Sequence, residues 1–184
     1  MKIEIGEKRP AHFKESWPAQ LDLYNYMEFA TGIPQLLFAI ATVKENGKPN
    51  ICMSSWCTFS GNGNGYYAIL GGVQKRHHTY ENIVRTGEFT INFLNRNYYG
   101  ALSETIIHNG PDDDEFQAGG FTVEASGTIS APRIKEAFLN LECTLEKVDE
   151  LPDGSLLLMV GKIRGLAMQE EFAGSFDGKY GENG

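Results

Sequence analysis

Leu36-Leu37-Phe38-Ala39-Ile40-Ala41-Thr42-Val43-Lys44-Glu45-Asn46-Gly47-Lys48-Pro49-Asn50-Ile51-Cys52-Met53-Ser54-Ser55-Trp56 is the stretch on which the fold turns. An apolar run over 36–43 meets the polar tetrad Glu45-Asn46-Gly47-Lys48, and a second strand-like segment opens at Pro49 and continues to Phe59. Asn-Gly between two such segments predicts a β-hairpin, because glycine takes the positive φ of a primed turn without steric cost.

The same punctuation recurs downstream. Gly61-Asn62-Gly63-Asn64-Gly65 reads as a second hairpin tip leading into a strand over 66–70; it is not Gly-x-Gly-x-x-Gly opening a helix, so turn chemistry explains it. A helix is expected over 79–85, with Thr79 as its cap, Glu81 in its first turn and Gly87 after its end. Phe89, Ile91 and Phe93 alternate with polar positions, which predicts a half-buried strand. Residues 97–121 combine a short helix with a polar, acidic loop over 110–115. Strands over 141–146 and 155–164 flank Pro152-Asp153-Gly154 and should pair antiparallel. Upstream, Leu23, Tyr26, Met27 and Ala30 recur at helical spacing, so one amphipathic helix is expected from 19 to 30, ended by Gly32 and Pro34. Residues 1–18 read as an irregular lead-in, and the chain after Gly165 as a loosely packed acidic tail. Short strands, glycine turns, few helices and no βαβ rhythm together predict a mainly antiparallel β-barrel.

The 184 residues suit one domain. Sixteen Lys and Arg against 24 Asp and Glu leave a net charge of −8, which disfavours nucleic acid and anionic membrane surfaces as partners. A phosphate held by such a chain needs a local cluster of donors. Three cysteines, Cys52, Cys57 and Cys143, with no Cys-x-x-Cys pair read as reduced thiols, and five-residue spacing on one strand would point Cys52 and Cys57 to opposite faces. The four histidines show no metal-ligand spacing with them. No signal-type apolar core or membrane-length run is present, and a soluble, cytoplasmic protein is expected.

Two segments carry candidate chemistry. Gln74-Lys75-Arg76-His77-His78-Thr79 is the densest basic cluster and runs into a helix start, where unpaired N–H groups and the helix dipole favour an anion. It reads equally as a capped helix with solvated cations. In Asn50-Ile51-Cys52-Met53-Ser54-Ser55-Trp56-Cys57, small and polar residues would let a planar ligand approach the backbone, with Trp56 as an aromatic wall. The competing reading is an edge strand with Trp56 in the core. His108 reads as an exposed loop histidine, and the run Asp112-Asp113-Asp114-Glu115 as a solvated face or helix start.

Taken together, Pro49-Asn50, Ser54-Ser55-Trp56, Lys75-Arg76, His78-Thr79-Tyr80-x-Asn82-Ile83, Gly87-Glu88-Phe89-Thr90-Ile91-Asn92 and Asp114-Glu115-Phe116 with Gly119-Gly120-Phe121 resemble the flavin reductase-like, FMN-binding split-barrel family, which includes flavoredoxins and reductase components of two-component monooxygenases. The resemblance covers about 33–165, between the lead-in of 1–32 and the tail of 166–184. It implies a six-stranded antiparallel split barrel, usually a homodimer, with FMN rather than FAD near the subunit interface and NAD(P)H as co-substrate. By position, Asn50, Met53, Ser54, Ser55, Trp56 and Cys57 would line the flavin, and Lys75, Arg76, His78 and Thr79 would hold its phosphate. A monooxygenase or other electron acceptor is the implied partner. Hydride transfer needs no side-chain base or nucleophile, so no catalytic side chain is assigned.

Overall fold

The computed structural model describes residue 2 and residues 4–23, 25–152, 154 and 157–172. The chain forms two compact units, Met1–Gln35 and Leu36–Gly184.

In the first unit, the single expected helix is two: α1 (Gln20–Leu23) and α2 (Tyr26–Thr31). The break has a local cause. Asn25 is extended, its side chain accepts a hydrogen bond from Met27 N–H and its own N–H donates to Glu28 Oε1, a capping box that restarts the helix. Gly32, at φ 56°, ends α2 as expected.

The second unit is an antiparallel β structure. Its strands are β1 (Phe38–Val43), β2 (Pro49–Ser54), β3 (Cys57–Asn62), β4 (Gly65–Val73), β5 (Glu88–Phe93), a short pair β6 (Val123–Glu124) and β7 (Arg133–Ile134), and the long β8 (Leu139–Glu150) and β9 (Leu157–Met168). Helices α3 (His78–Thr86), α4 (Tyr99–Ile107) and α5 (Glu115–Gly119) complete it. Seven strands, one more than expected, form one sheet in the order β2-β1-β5-β8-β9-β4-β3, with β6-β7 as a separate ribbon. The sheet's two edge strands, β2 and β3, are consecutive in sequence and joined only by Ser55 and Trp56. So short a link forces the two edges together and rolls the sheet into a barrel. No ladder joins them, so the barrel is split at that seam.

The expected hairpins form. Gly47 has φ 82° at the β1–β2 turn, and Asn62 pairs with Gly65 at the β3–β4 tip. Thr42 stands opposite Asn50, and Phe38 opposite Ser54. Strand β1 alternates: Phe38 and Ile40 enter the barrel core with Leu70, Phe89, Ile91 and Met159, while Ala39 and Ala41 enter a second core with Leu102, Phe116, Phe121 and Ile134.

Three expectations change. Strand β5 is not half-buried: Thr90 and Asn92 lie under the second core, and Asn92 Oδ1 accepts from Ile134 N–H and Asn140 Nδ2 while its Nδ2 donates to Ala39 O. A buried polar face is tolerated because its groups are all paired. Strand β9 runs past Gly165 to Met168, which pairs with Leu139; residues 173–184 of the expected tail lie outside the described residues. Finally, Cys52 and Cys57 both pack on the barrel core, because the chain breaks between β2 and β3 and the spacing rule for one strand does not apply. No helix among the described residues is long and apolar enough to cross a membrane.

Candidate functional site

Helix α3 lies against β1. Its Thr79, Asn82 and Ile83 are buried; Asn82 Nδ2 donates to Thr42 Oγ1 at 3.0 Å, and the Arg85 guanidinium donates to the Val43 carbonyl. The helix starts one residue earlier than expected. Its N-cap is His77, which gives no side-chain cap, while Thr79 turns inward and is 4% exposed. Thr79 is therefore not the cap: it is buried inside the first turn on the side of β2, where its hydroxyl counters the rise that burial gives the Cys52 thiol, and that thiol donates to Met53 O at 3.6 Å. The uncapped first turn keeps N–H groups at His78 and Thr79 that have no intrahelical acceptor. Gly87, at φ 72°, ends the helix as expected.

The packing of α3 on β2, with Thr79 near Cys52, brings the two candidate segments together. A second link does the same from the other side. Gly71 N–H donates to Trp56 O at 2.9 Å, and the Trp56 ring packs over Gly72 at the irregular end of β4, which leads straight into residues 74–77. Asn50 is buried in β2; Met53, Ser54, Ser55, Trp56 and Cys57 are half-buried along the seam. Lys75 and Arg76 are exposed in the turn before α3, and Lys75 Nζ lies 2.5 Å from Glu150 Oε1. The hydrogen bond that Lys75 donates to the Glu150 carboxylate, with the charge of that carboxylate, raises the lysine pKa. His77 is shifted down by burial and by its neighbours Arg76 and His78.

Burial pushes the Cys52 thiol up against the opposing Thr79 bond, pushes Cys57 to about 11 against a backbone bond at Ile69, and pushes Cys143 to about 12. None is a thiolate at neutral pH. His108 is exposed at the end of α4, 3.9 Å from Glu104. No group of three potential metal ligands occurs among the described residues.

The flavin reductase like domain matches residues 31–183. The chain belongs to the flavin reductase-like family. The structure of this flavin reductase-like protein resembles a Shewanella frigidimarina protein with a split barrel domain (24% identity, TM-score 0.73, covering 92% of this chain and 85% of that one). It also resembles nitrilotriacetate monooxygenase component B from Bacillus cereus (22%, 0.75, 95% and 86%) and a flavoredoxin from Methanosarcina acetivorans (25%, 0.69, 97% and 80%). An uncharacterized protein of Aquifex aeolicus is 36% identical over 69 residues, 38% of this chain and 35% of its own length, so the chain spans about a third of that relative. The fold of this flavin reductase-like protein is thus the split barrel.

An uncapped helix start and two exposed cations beside it concentrate donors at one point of a chain of charge −8.

Sequence reasoning missed the buried ion pair of Lys44 and Glu115. Glu115 Oε1 lies 2.7 Å from Lys44 Nζ, and the two side chains are 0% and 5% exposed. Lys44 Nζ also donates to the carbonyls of Gly110 and Asp113, both at 2.8 Å; Asn46 Nδ2 donates to Pro111 O at 3.1 Å and Lys48 Nζ to Asp112 O. Four consecutive carbonyls of the acidic loop are thus clasped by the β1–β2 turn. The helix-start reading of the run holds for Asp114, which caps α5 by accepting from Gln117 N–H; the solvated-face reading fails for Glu115, which the clasp buries. A cleft of about 600 Å³ opens beside this clasp, lined by Lys44, Asn46, His78, Asn82 and Arg85 among others. A lysine in a turn and a glutamate in an acidic run carry no local signal of a buried pair.

Proposed function

We propose that the protein is an NAD(P)H-dependent flavin oxidoreductase that binds FMN. The observation that carries this reading is the junction of the seam with the end of β4 that leads into α3, through the Gly71–Trp56 hydrogen bond and the Trp56–Gly72 contact, in a chain of the flavin reductase-like family. One basic island offers donors for one phosphate, which favours FMN over FAD. The chemistry such a flavin supplies is acceptance of a hydride from the nicotinamide.

The chain's own residues bind and orient. Lys75, Arg76, His78 and the N–H groups of the first α3 turn hold the phosphate. Met53, Ser54, Ser55, Trp56 and Cys57 line the ring, and backbone N–H groups of the seam stabilise negative charge that appears at its edge. Asn50, buried opposite Thr42, supports that strand from behind. No thiol takes part. A homodimer in the cytoplasm, passing electrons to a monooxygenase or another acceptor, completes the reading.

Anaerobic mixing of the FMN-loaded protein with NADH and with NADPH tests it. Rapid loss of the flavin absorbance with either supports the enzyme. No bleaching with both leaves only a flavin-binding electron carrier and overturns the enzyme; failure to bind FMN overturns the whole reading.

A further inference from the structure

Helix α3 is held on the barrel by two kinds of contact. Ile83 is fully buried in the barrel core and supplies adhesion, which is non-directional. Direction comes from hydrogen bonds. Asn82 Nδ2 donates to Thr42 Oγ1 at 3.0 Å in a buried bond, and Arg85 donates to the carbonyl of the next residue, Val43, in an exposed one. Both acceptors lie at the end of β1, and both donors lie beyond the first turn of the helix. Thr42 and Asn82 are buried side chains. A helix needed only as a cover would be held as well by an apolar pair there, because a buried hydrogen bond adds little net stability over two matched apolar groups. What the polar pair adds is a single placement: adhesion tolerates sliding, and a hydrogen bond of defined length and angle does not.

That placement bears on the candidate site because of where the bond sits. Thr42 stands opposite Asn50 in β2, the strand that runs on to the seam. From Asn50, four residues of β2 lead about 13 Å to Ser54. From Asn82, four residues of α3 lead about 6 Å back to His78, whose carbonyl accepts from Asn82 N–H in the α-helical pattern. The crossing of Asn82 with Thr42 thus ties the helix start to the seam strand. We propose that Asn82 is a positioning residue: its bond to Thr42 sets how far α3 stands along the β1–β2 hairpin, and hence where the first turn of α3 lies relative to the seam. Asn82 acts through the helix and not on the ligand. This rests on the reading of that turn, with Lys75 and Arg76, as the phosphate site.

Stability and position predict different results, which makes the proposal decidable. Fluorescence titration of the full-length protein with FMN and with riboflavin, which lacks the phosphate, is run on wild type, on Thr42→Ser and on the double variant Thr42→Val with Asn82→Leu. The double variant removes donor and acceptor together, so no buried group is left unpaired and the helix keeps its apolar anchor. Its FMN affinity should fall about five- to tenfold, the scale of one lost hydrogen bond, while riboflavin changes less than about twofold. Thr42→Ser keeps the hydroxyl that Asn82 needs, and should bind FMN within about twofold of wild type. Should the double variant not fold, Thr42→Val alone gives the same comparison of the two ligands. A double variant that keeps the wild-type preference for FMN overturns the proposal, and so does an equal loss for both ligands, which would mark a merely structural bond. A Thr42→Ser protein that loses as much FMN affinity as the double variant also overturns it, since the hydroxyl would then not be what matters. A wild type with no preference for FMN over riboflavin overturns the phosphate reading itself and the proposal with it.

Discussion

The Trp56 ring fills the space beside Gly72 where a side chain would begin: a Cβ there would stand 2.2 Å from Trp56 Cε3 and 2.6 Å from Cζ3. Gly72 also has φ 68°, a conformation side-chained residues adopt at a cost. Gly72→Ala therefore meets strain and overlap together and should destabilise the fold by about 3 kcal/mol. Because the same contact ties the seam to residues 74–77, FMN binding should weaken as well. Thermal unfolding and flavin titration on one preparation measure both; a variant with wild-type midpoint and affinity would show that Trp56 has free room to move.

Replacing Lys75 and Arg76 together with Ala should weaken FMN by about tenfold or more while riboflavin changes little, since only FMN carries the phosphate. Lys75 is paired with Glu150 in an exposed contact, so the phosphate has to draw it away. Glu150→Gln should accordingly tighten FMN slightly. Equal weakening of both ligands by the double alanine variant would refute the phosphate assignment.

The thiols should be chemically quiet. With Cys57 near 11, Cys143 near 12 and Cys52 raised by burial, iodoacetamide at pH 8 should label native protein far more slowly than unfolded protein. Cys57→Ser should keep the bleaching rate within about an order of magnitude, because neither seam thiol carries a proton or electron in the reaction. A larger loss would make Cys57 a participant.

Stability should fall in acid through Glu142. Burial alone would raise its pKa, but the Thr128 hydroxyl, the N–H groups of Gly127 and Thr128, and Arg133 at 3.0 Å outweigh it and leave the carboxyl below its ordinary value. A folded value below the unfolded one means that this stabilisation is fully present above the unfolded pKa of about 4.3 and is lost as pH falls through the lower folded value. Glu142→Gln should melt lower than wild type at pH 7, with the gap closing toward pH 3. A gap that stays constant with pH would exclude the carboxylate as its source.

The barrel was legible because its turns are written locally. Asn46-Gly47 and the 61–65 glycines encode hairpins in two to five residues, β1 stands out as a continuous apolar run, and β8 shows its alternation directly. Two kinds of feature were not legible. The first is burial decided by distant chain: the Asn92 network needs Ala39, Ile134 and Asn140, and no window around residue 92 contains them. The second is charge pairing across loops: Lys44 and Glu115 are 71 residues apart, and each belongs to a run that reads as surface. Thr79 shows a smaller version of the same limit. Its type suits a cap, yet β2 lies close enough to draw its hydroxyl inward, and His77 became the cap residue instead.

The unjoined edges of β2 and β3 have an evolutionary consequence. Edge strands keep main-chain donors and acceptors that no neighbouring strand uses, and here both edges meet at the Ser55–Trp56 link. Binding capacity at the seam is thus a property of the topology before it is a property of any side chain. Residues there can drift widely while the backbone goes on offering the same groups, so a lineage built on this barrel is free to exchange substrates without rebuilding its cofactor shelf.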